Sequence, residues 1–391
     1  MTSESGVFHL LGLHMHQPPG NLDLLIEANE WEARQIMLCY ERPLKYAQRY
    51  QDVARFCVGF SGILLEQLED PSIIARYAGI VDIPRMLEGY RHAPNIDFAG
   101  MGYYHPVFPL IPADDWDEQM ARGRRKIVDV FGREPKIFWP PEMGFTMEMI
   151  PALVRQDYEY LVVDSMHVAP REPLPREEVV YHTHTAEYGG AKITVIPRDR
   201  DLSNAQESGL NPAWFEGETG HKTAAVSRPC LVTTWTDGEN GGWFRQIDED
   251  AGFWGYFFAP YMEAVRAGES PIRPISVADF VARQPPRTQV DVRTGAWNIG
   301  STSGADFSHW AGSGSQKKAL EELFGLRRRQ QQLSDRLTDQ QRLAAADNLH
   351  QVQELILKAE TSCYLFWGDA WIPKLYEHTR LAHQILDGIH S

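Results

Sequence analysis

The 391 residues include 53 Asp and Glu against 38 Lys and Arg, a formal net charge of −15, with 43% hydrophobic and 23% charged residues. These are ordinary globular values that exclude wholesale disorder. The acidic balance argues against a nucleic-acid or anionic-membrane partner, because phosphate binding needs clustered cations.

The length suits one large domain with a smaller appendage. Cys39, Cys57, Cys230 and Cys363 form no C-x-x-C pair and read as free thiols of a reducing compartment. The N-terminus, MTSESGVFHLLGLHMHQPPG, lacks the positive region and unbroken apolar run of a secretory leader. No uncharged apolar window reaches 18 residues, so a cytoplasmic chain with no membrane span is expected.

In chain order, residues 7–13 read as a strand and 21–50 as mostly helical. Strands are predicted at 55–60, 96–99, 136–139, 160–164 and 230–234, and helices at 62–69, 116–131, 151–156 and 255–267. The segments EVVYHTHT and KITVIPRD, joined at Tyr188-Gly189-Gly190, read as an inserted hairpin with His182 and His184 on one exposed face. Strands separated by helices imply a parallel sheet, and this many repeats predict a closed or nearly closed β/α barrel. From about residue 286 the texture changes. A Gly/Ser/Thr-rich loop carries Trp297, Phe307, His309 and Trp310, and helices follow at 316–334, 339–359 and 371–389. The expected division is a catalytic barrel over 1–285 and an aromatic loop plus helical bundle over 286–391. The basic run Arg327-Arg328-Arg329 lies in helical sequence and reads as a solvated face.

Three strand ends carry chemistry. In KIFWPPEMGF, Pro140 and Pro141 cannot continue a sheet ladder, so they end a strand and stiffen the backbone that presents Glu142. A helix-start surface glutamate is the bland alternative. In CLVTTWTDGENGGWF an apolar strand runs into a Gly-rich turn carrying Asp237 and Glu239 between Trp235 and Trp243. Two carboxylates from different strand ends of one barrel are what glycoside hydrolysis needs: one attacks the anomeric carbon, the other protonates the departing oxygen. A retaining pair is expected about 5–5.5 Å apart. Asp237 is expected to have the higher pKa of the two, raised by Glu142 and enclosing aromatics.

In HLLGLHMHQPPG the period-2 alternation points His14 and His16 to one face, the barrel mouth. Hydrogen bonding to sugar hydroxyls, with Gln17 beside them, competes there with a metal site completed by His105, His167 or Asp164. MGYYHPVFPLIP places Tyr103, Tyr104 and His105 on a strand-end loop, and Glu66 falls one turn after Gly62 on a helix. Tryptophans beside polar loop residues, among them Trp139, Trp235, Trp243, Trp367 and Trp371, suit either core packing or stacking on the apolar face of a pyranose.

These segments, in this order, resemble glycoside hydrolase family 57. The matching blocks are His16-Gln17-Pro18, the G-x-x-H-P block at 102–106, the W-x-P-E block at 139–142 and Asp237-Gly238-Glu239; a fifth resembles AETSCYLFWGDAW at 359–371. The resemblance implies an incomplete (β/α)7 barrel with a C-terminal helical domain closing over the cleft. It also implies retention of anomeric configuration, no cofactor, Glu142 as nucleophile and Asp237 as general acid/base. His14, His16, His105, Glu66 and Glu239 would line the cleft. The substrate class implied is α-1,4 (or α-1,6) glucans or oligosaccharides, with hydrolysis or transfer to a sugar acceptor. A metal-dependent hydrolase or deacetylase and a non-catalytic α-glucan-binding protein are the competing classes. Cys363 stands where the fifth block commonly carries an acid, with Asp369 a candidate to compensate.

Overall fold

The computed structural model describes residues 6–297 and 307–389. Seven strands make the barrel: β1 Val7–Met15, β2 Phe56–Phe60, β3 Ile96–Gly100, β4 Ile137–Phe138, β5 Tyr160–Asp164, β6 Ala191–Arg198 and β7 Cys230–Asp237. Each pairs with the next in parallel from β1 to β6, and β7 returns to pair in parallel with β1 along Val7 to His14. Between β6 and β7 no ladder forms among the described residues, although the Asp199 N–H just past β6 donates to the Thr233 carbonyl (2.9 Å). The fold is thus an incomplete (β/α)7 barrel followed by a C-terminal helical region.

All nine residues of β1 are buried. A central parallel strand is covered on both faces, so its sequence is a near-continuous apolar run rather than an alternation. The histidines within it are accommodated one by one: His9 Nε2 pairs with Thr234 Oγ1 (2.8 Å) on the neighbouring strand. Gly12 is required by its neighbour. A Cβ there would stand 2.0 Å from the Trp235 ring, which is itself fully buried and cannot retreat. Gly12→Ala is expected to destabilise the fold by about 1–3 kcal/mol through overpacking, read as a lowered midpoint in thermal or urea unfolding.

The expected inserted hairpin is not an insertion. Its second arm is barrel strand β6, with His184–Tyr188 antiparallel on its outer edge, while Arg176–Val180 is helical. His182 and His184 are accordingly buried rather than exposed, and His184 Nε2–H donates to the Val179 carbonyl (2.9 Å). The predicted helix over 21–50 is two, Asn21–Ala28 and Glu30–Arg49, divided at Asn29, whose side chain caps the second. The predicted helix over 255–267 begins as a π-turn, Phe253–Phe258, and continues as Ala259–Ala267.

The principal C-terminal helices are Gly314–Arg336, Ala346–Ala359, Ser362–Phe366 and Ile372–Asp387. Their apolar faces, including Leu323, Ile356 and Leu375, belong to the same buried cluster as Phe138 and Trp139 of the barrel. Part of the Gly/Ser/Thr-rich aromatic loop, 298–306, lies outside the described residues. Among the described residues no helix is long and apolar enough to cross a membrane.

Candidate active site

Strand β4 is only two residues long, and its last sheet bond is the Trp139 N–H to the Gly100 carbonyl (2.9 Å). Pro140 and Pro141 have no N–H to offer, so pairing stops and the chain turns. Glu142 and Met143 then adopt left-handed backbone angles, φ 57° and 51°, as does His105 at φ 59°. Non-glycine residues hold such angles only where surroundings over-determine them, and they cluster at functional sites. Here the surroundings are visible. The Trp297 N–H donates to the Glu142 carbonyl (2.9 Å), the Trp297 indole N–H donates to Glu142 Oε2 (2.9 Å), and the Ser362 hydroxyl lies 3.0 Å from Oε1.

Asp237 is the final residue of β7, a strand three residues longer than the sequence suggests. Its carboxylate is held by His14 Nε2 (2.7 Å) from β1 and by the Asn240 amide (2.6 Å), while the Gly238 N–H donates to the His14 carbonyl (2.9 Å). The register of β1 with β7 places His14 directly beside Asp237. Glu239 is buried, and its Oε1 accepts from the His16 backbone N–H (2.8 Å).

The imidazoles form stacks instead of a converging ligand set. His14 lies 3.8 Å from the Trp139 ring at 20°, and His16 lies 3.9 Å from His105 at 6°. One edge of each outer ring is tied down, His16 Nδ1 at Ser61 Oγ (2.8 Å) and His105 Nδ1 at Ser362 Oγ (2.9 Å). The other edges are not: His14 Nδ1, His16 Nε2 and His105 Nε2 are buried without a protein partner beside one cavity, an arrangement that suits a hydroxyl-bearing ligand. Among the described residues no group of three His, Cys, Asp or Glu is disposed to hold a metal ion. Two sequence candidates for one are occupied elsewhere: Asp164 pairs with Arg198 (3.3 Å) and Arg200 (2.9 Å), and His167 Nε2–H donates to the Ala296 carbonyl (2.9 Å).

Burial, the largest influence, pushes Asp237 up, but the adjacent His14 and the Asn240 amide together outweigh it and leave Asp237 below its usual value. Glu142 is raised, by burial first and the Asp237 charge second. His14 is raised despite burial, because Asp237, Glu142 and Glu239 all favour its cation. In the free protein the order of the two acids is therefore opposite to the sequence expectation; a lone aspartate in an aromatic cleft would be raised, and the histidine that reverses this comes from a strand more than 200 residues away. His16 falls to about 3 and His105 well below its usual value, both chiefly through burial, so these two rings are neutral. Glu239 rises to about 8 through burial.

One open cleft of about 590 Å³ gathers Glu142, Asp237, Glu239, His14, His16 and His105. That lies within the roughly 300–1,000 Å³ usual for a ligand site. Gln17, Trp367 and Trp371 also line it. Five expected contacts do not. Trp139 is buried beneath His14, and Trp235 is wedged over Gly12. Trp243 packs edge-on to Tyr256 (6.0 Å). Tyr104 is buried with its hydroxyl towards Glu354 (3.4 Å), and Glu66 faces solvent outside the cleft, accepting from Tyr103. Asp369 is exposed and does not line the cavity, whereas Cys363 does. Asn240, Ser362 and the apolar wall of Leu25, Ile36 and Phe366 were not singled out by sequence. Asn240 could have been, since it completes the D-G-E-N turn; nothing in the chain marks Ser362.

A sequence model for glycosyl hydrolase family 57 matches residues 11–292. This chain belongs to that family. Within it, alpha-amylase 1 of Dictyoglomus thermophilum is 24% identical over 327 residues, covering 81% of this chain and 42% of the relative. A 4-alpha-glucanotransferase of Thermococcus litoralis is 29% identical over 196 residues, covering 49% of this chain and 27% of the relative. The chain thus spans less than half the length of either. The crystal structure of a family 57 branching enzyme from Thermococcus kodakaraensis superposes with a TM-score of 0.73 at 14% identity, covering 98% of this chain and 90% of that one. The fold of the family therefore extends through the C-terminal helices, beyond the matched segment.

Proposed function

We propose that this family 57 chain is a retaining enzyme on α-linked glucans, with Glu142 as nucleophile and Asp237 as general acid/base. The observation that carries this reading is that two carboxylates from separate strand ends, each gripped by dedicated donors, face one cavity whose walls hold unpartnered imidazole edges. A sugar chain supplies what those edges lack. The relatives named alpha-amylase and 4-alpha-glucanotransferase support the substrate class. The rim adds Phe366 and Trp367, 48% and 58% exposed, as faces for stacking on pyranose C–H surfaces. A reducing, cytoplasmic setting belongs to the same reading, and the four cysteines stand free.

In the first step a Glu142 oxygen bonds to the anomeric carbon as the glycosidic C–O bond breaks, and Asp237 gives its proton to the departing oxygen. In the second, Asp237 takes a proton from water or a sugar hydroxyl, which displaces Glu142 and restores the original configuration. Proton bookkeeping fits the electrostatics. His14, Asp237 and Glu142 titrate as a coupled set. When the pair holds one proton the free protein favours it on Glu142, and the reactive form, with the two reversed, holds the same number. A sugar seated against Asp237 removes its water and raises its pKa, which favours the reactive form.

Incubation with maltooligosaccharides, amylose and pullulan tests the reading. Shorter products alone indicate hydrolysis, and longer products indicate transfer. Intact substrate after long incubation with tightly bound glucan would turn the reading into the binding-protein class.

A further inference from the structure

Ser362 is the first residue of the helix Ser362–Phe366 and is fully buried. The C-terminal region delivers it to the barrel by main-chain contacts: its N–H donates to the His105 carbonyl (3.0 Å), and Thr361 bridges Pro106. Its Oγ then stands between two groups, 3.0 Å from Glu142 Oε1 and 2.9 Å from His105 Nδ1. A hydroxyl has one hydrogen, so it cannot donate to both.

We propose that Ser362 is a positioning residue that couples the cavity edge of His105 to the charge of Glu142. When Glu142 is ionised, Ser362 donates to its carboxylate and His105 must carry its proton on Nδ1 to donate to Ser362. His105 Nε2 is then a lone pair offered to the cavity. When Glu142 is protonated, its O–H donates to Ser362, Ser362 donates to His105 Nδ1, and the ring proton sits on Nε2. A ligand hydroxyl that donates to His105 Nε2 therefore selects the ionised nucleophile. His105 is suited to this because burial and the neighbouring His16 and His14 keep it neutral, with one ring proton to place. The other titratable groups acting on Glu142 are Asp237 and His14, and the Cys363 thiol feels its charge. The inference rests on the nucleophile assignment above and gives substrate a way to favour the ionised form of a carboxyl that burial has raised.

The test compares wild type, Ser362→Ala and Ser362→Thr on maltoheptaose across pH, with thermal midpoints to confirm folding. In the wild type the acidic limb of kcat should lie below that of kcat/KM, because the first reports the complex and the second the free enzyme. In Ser362→Ala the kcat/KM limb should move up by about one pH unit, the size of one hydrogen bond to a charge, and the separation between the limbs should narrow. Ser362→Thr should restore both. A uniform loss at every pH, or unchanged limbs in Ser362→Ala, would overturn the coupling. Histidine 15N NMR gives a reading independent of turnover. At a pH below the acidic limb of wild-type kcat/KM, where free Glu142 is protonated, His105 should switch from Nε2–H to Nδ1–H when maltotriose is added to wild type and should not switch in Ser362→Ala; the same response in both also overturns it. Absence of wild-type turnover with the tautomer switch intact would sink the functional reading and leave the coupling standing.

Discussion

Glu142→Gln is expected to lower turnover of maltoheptaose on the order of 10⁴-fold while leaving its binding within a few-fold, the pattern of a group needed only in the reacting state. The amide keeps the volume, and its oxygen still accepts from one of the two donors, Trp297 or Ser362. What it loses is the charge that, on the proposed assignment, attacks carbon. A carboxylate is a weak nucleophile, so most of its rate comes from being held in place, and the left-handed turn after Pro141 with three gripping contacts does the holding. The assignment is checked by stereochemistry. With an α-glucosyl fluoride and added azide, Glu142→Gly should form the inverted glycosyl azide, azide entering through the space the side chain vacated. Asp237→Ala should instead give the retained product, because Glu142 still attacks first. Retained azide from Glu142→Gly would reassign the nucleophile.

How much of this was legible in the chain depended on whether the cause lay nearby in sequence. The strand cut short at Pro140 and Pro141, the glycine-rich turn after Asp237 and the paired histidines before Pro18 are local features, and each placed its residues correctly at the barrel mouth. The tryptophans were ambiguous for a physical reason. The same ring that stacks on a sugar also fills a core, and only depth decides: Trp139 and Trp235 are fully buried while Trp367 is open. Glu66 and Tyr104 sit near the cleft in sequence but turn to its outer side, a matter of helix phase and loop direction that spacing leaves free. Strand β6 was mistaken for an insertion because a Tyr-Gly-Gly turn makes any two apolar runs look like a hairpin, and its parallel partner β5 lies beyond an intervening loop and helix. The order of acidities failed for a similar reason. It hinges on the 2.7 Å contact of His14 with Asp237, which exists only once β1 and β7 are side by side. Ser362 was invisible because a serine in a helix start usually serves as a cap, and its role here is defined by two side chains contributed from other parts of the fold.

Glu239→Gln is expected to make the protein more stable at neutral pH. Glu239 is 3% exposed, and burial raises its carboxyl from an ordinary 4.5 to about 8. The Tyr40 hydroxyl and the His16 N–H pull the other way and lose. The sign follows from proton binding. Below about pH 4.5 both folded and unfolded chains keep the proton, and the residue costs nothing by this route. Between 4.5 and 8 the unfolded chain releases it and the folded chain does not, so stability falls steadily; above 8 the cost is constant. At pH 7 the difference amounts to 2.5 pH units, or about 3 kcal/mol at 1.36 kcal/mol per unit. Glutamine keeps the shape and can still accept from His16, but has no proton to lose. The variant should therefore match wild type near pH 4, exceed it by about 3 kcal/mol at pH 7 in urea titrations, and show a flatter dependence between. A parallel fall of both proteins through that range would show that Glu239 is not the source of the slope. The carboxyl also lines the cavity beside the two acids, with its second oxygen, Oε2, not engaged by the His16 N–H. A loss of turnover in the more stable variant would identify that oxygen as the reason a destabilising glutamate is kept there, an expected exchange of stability for function.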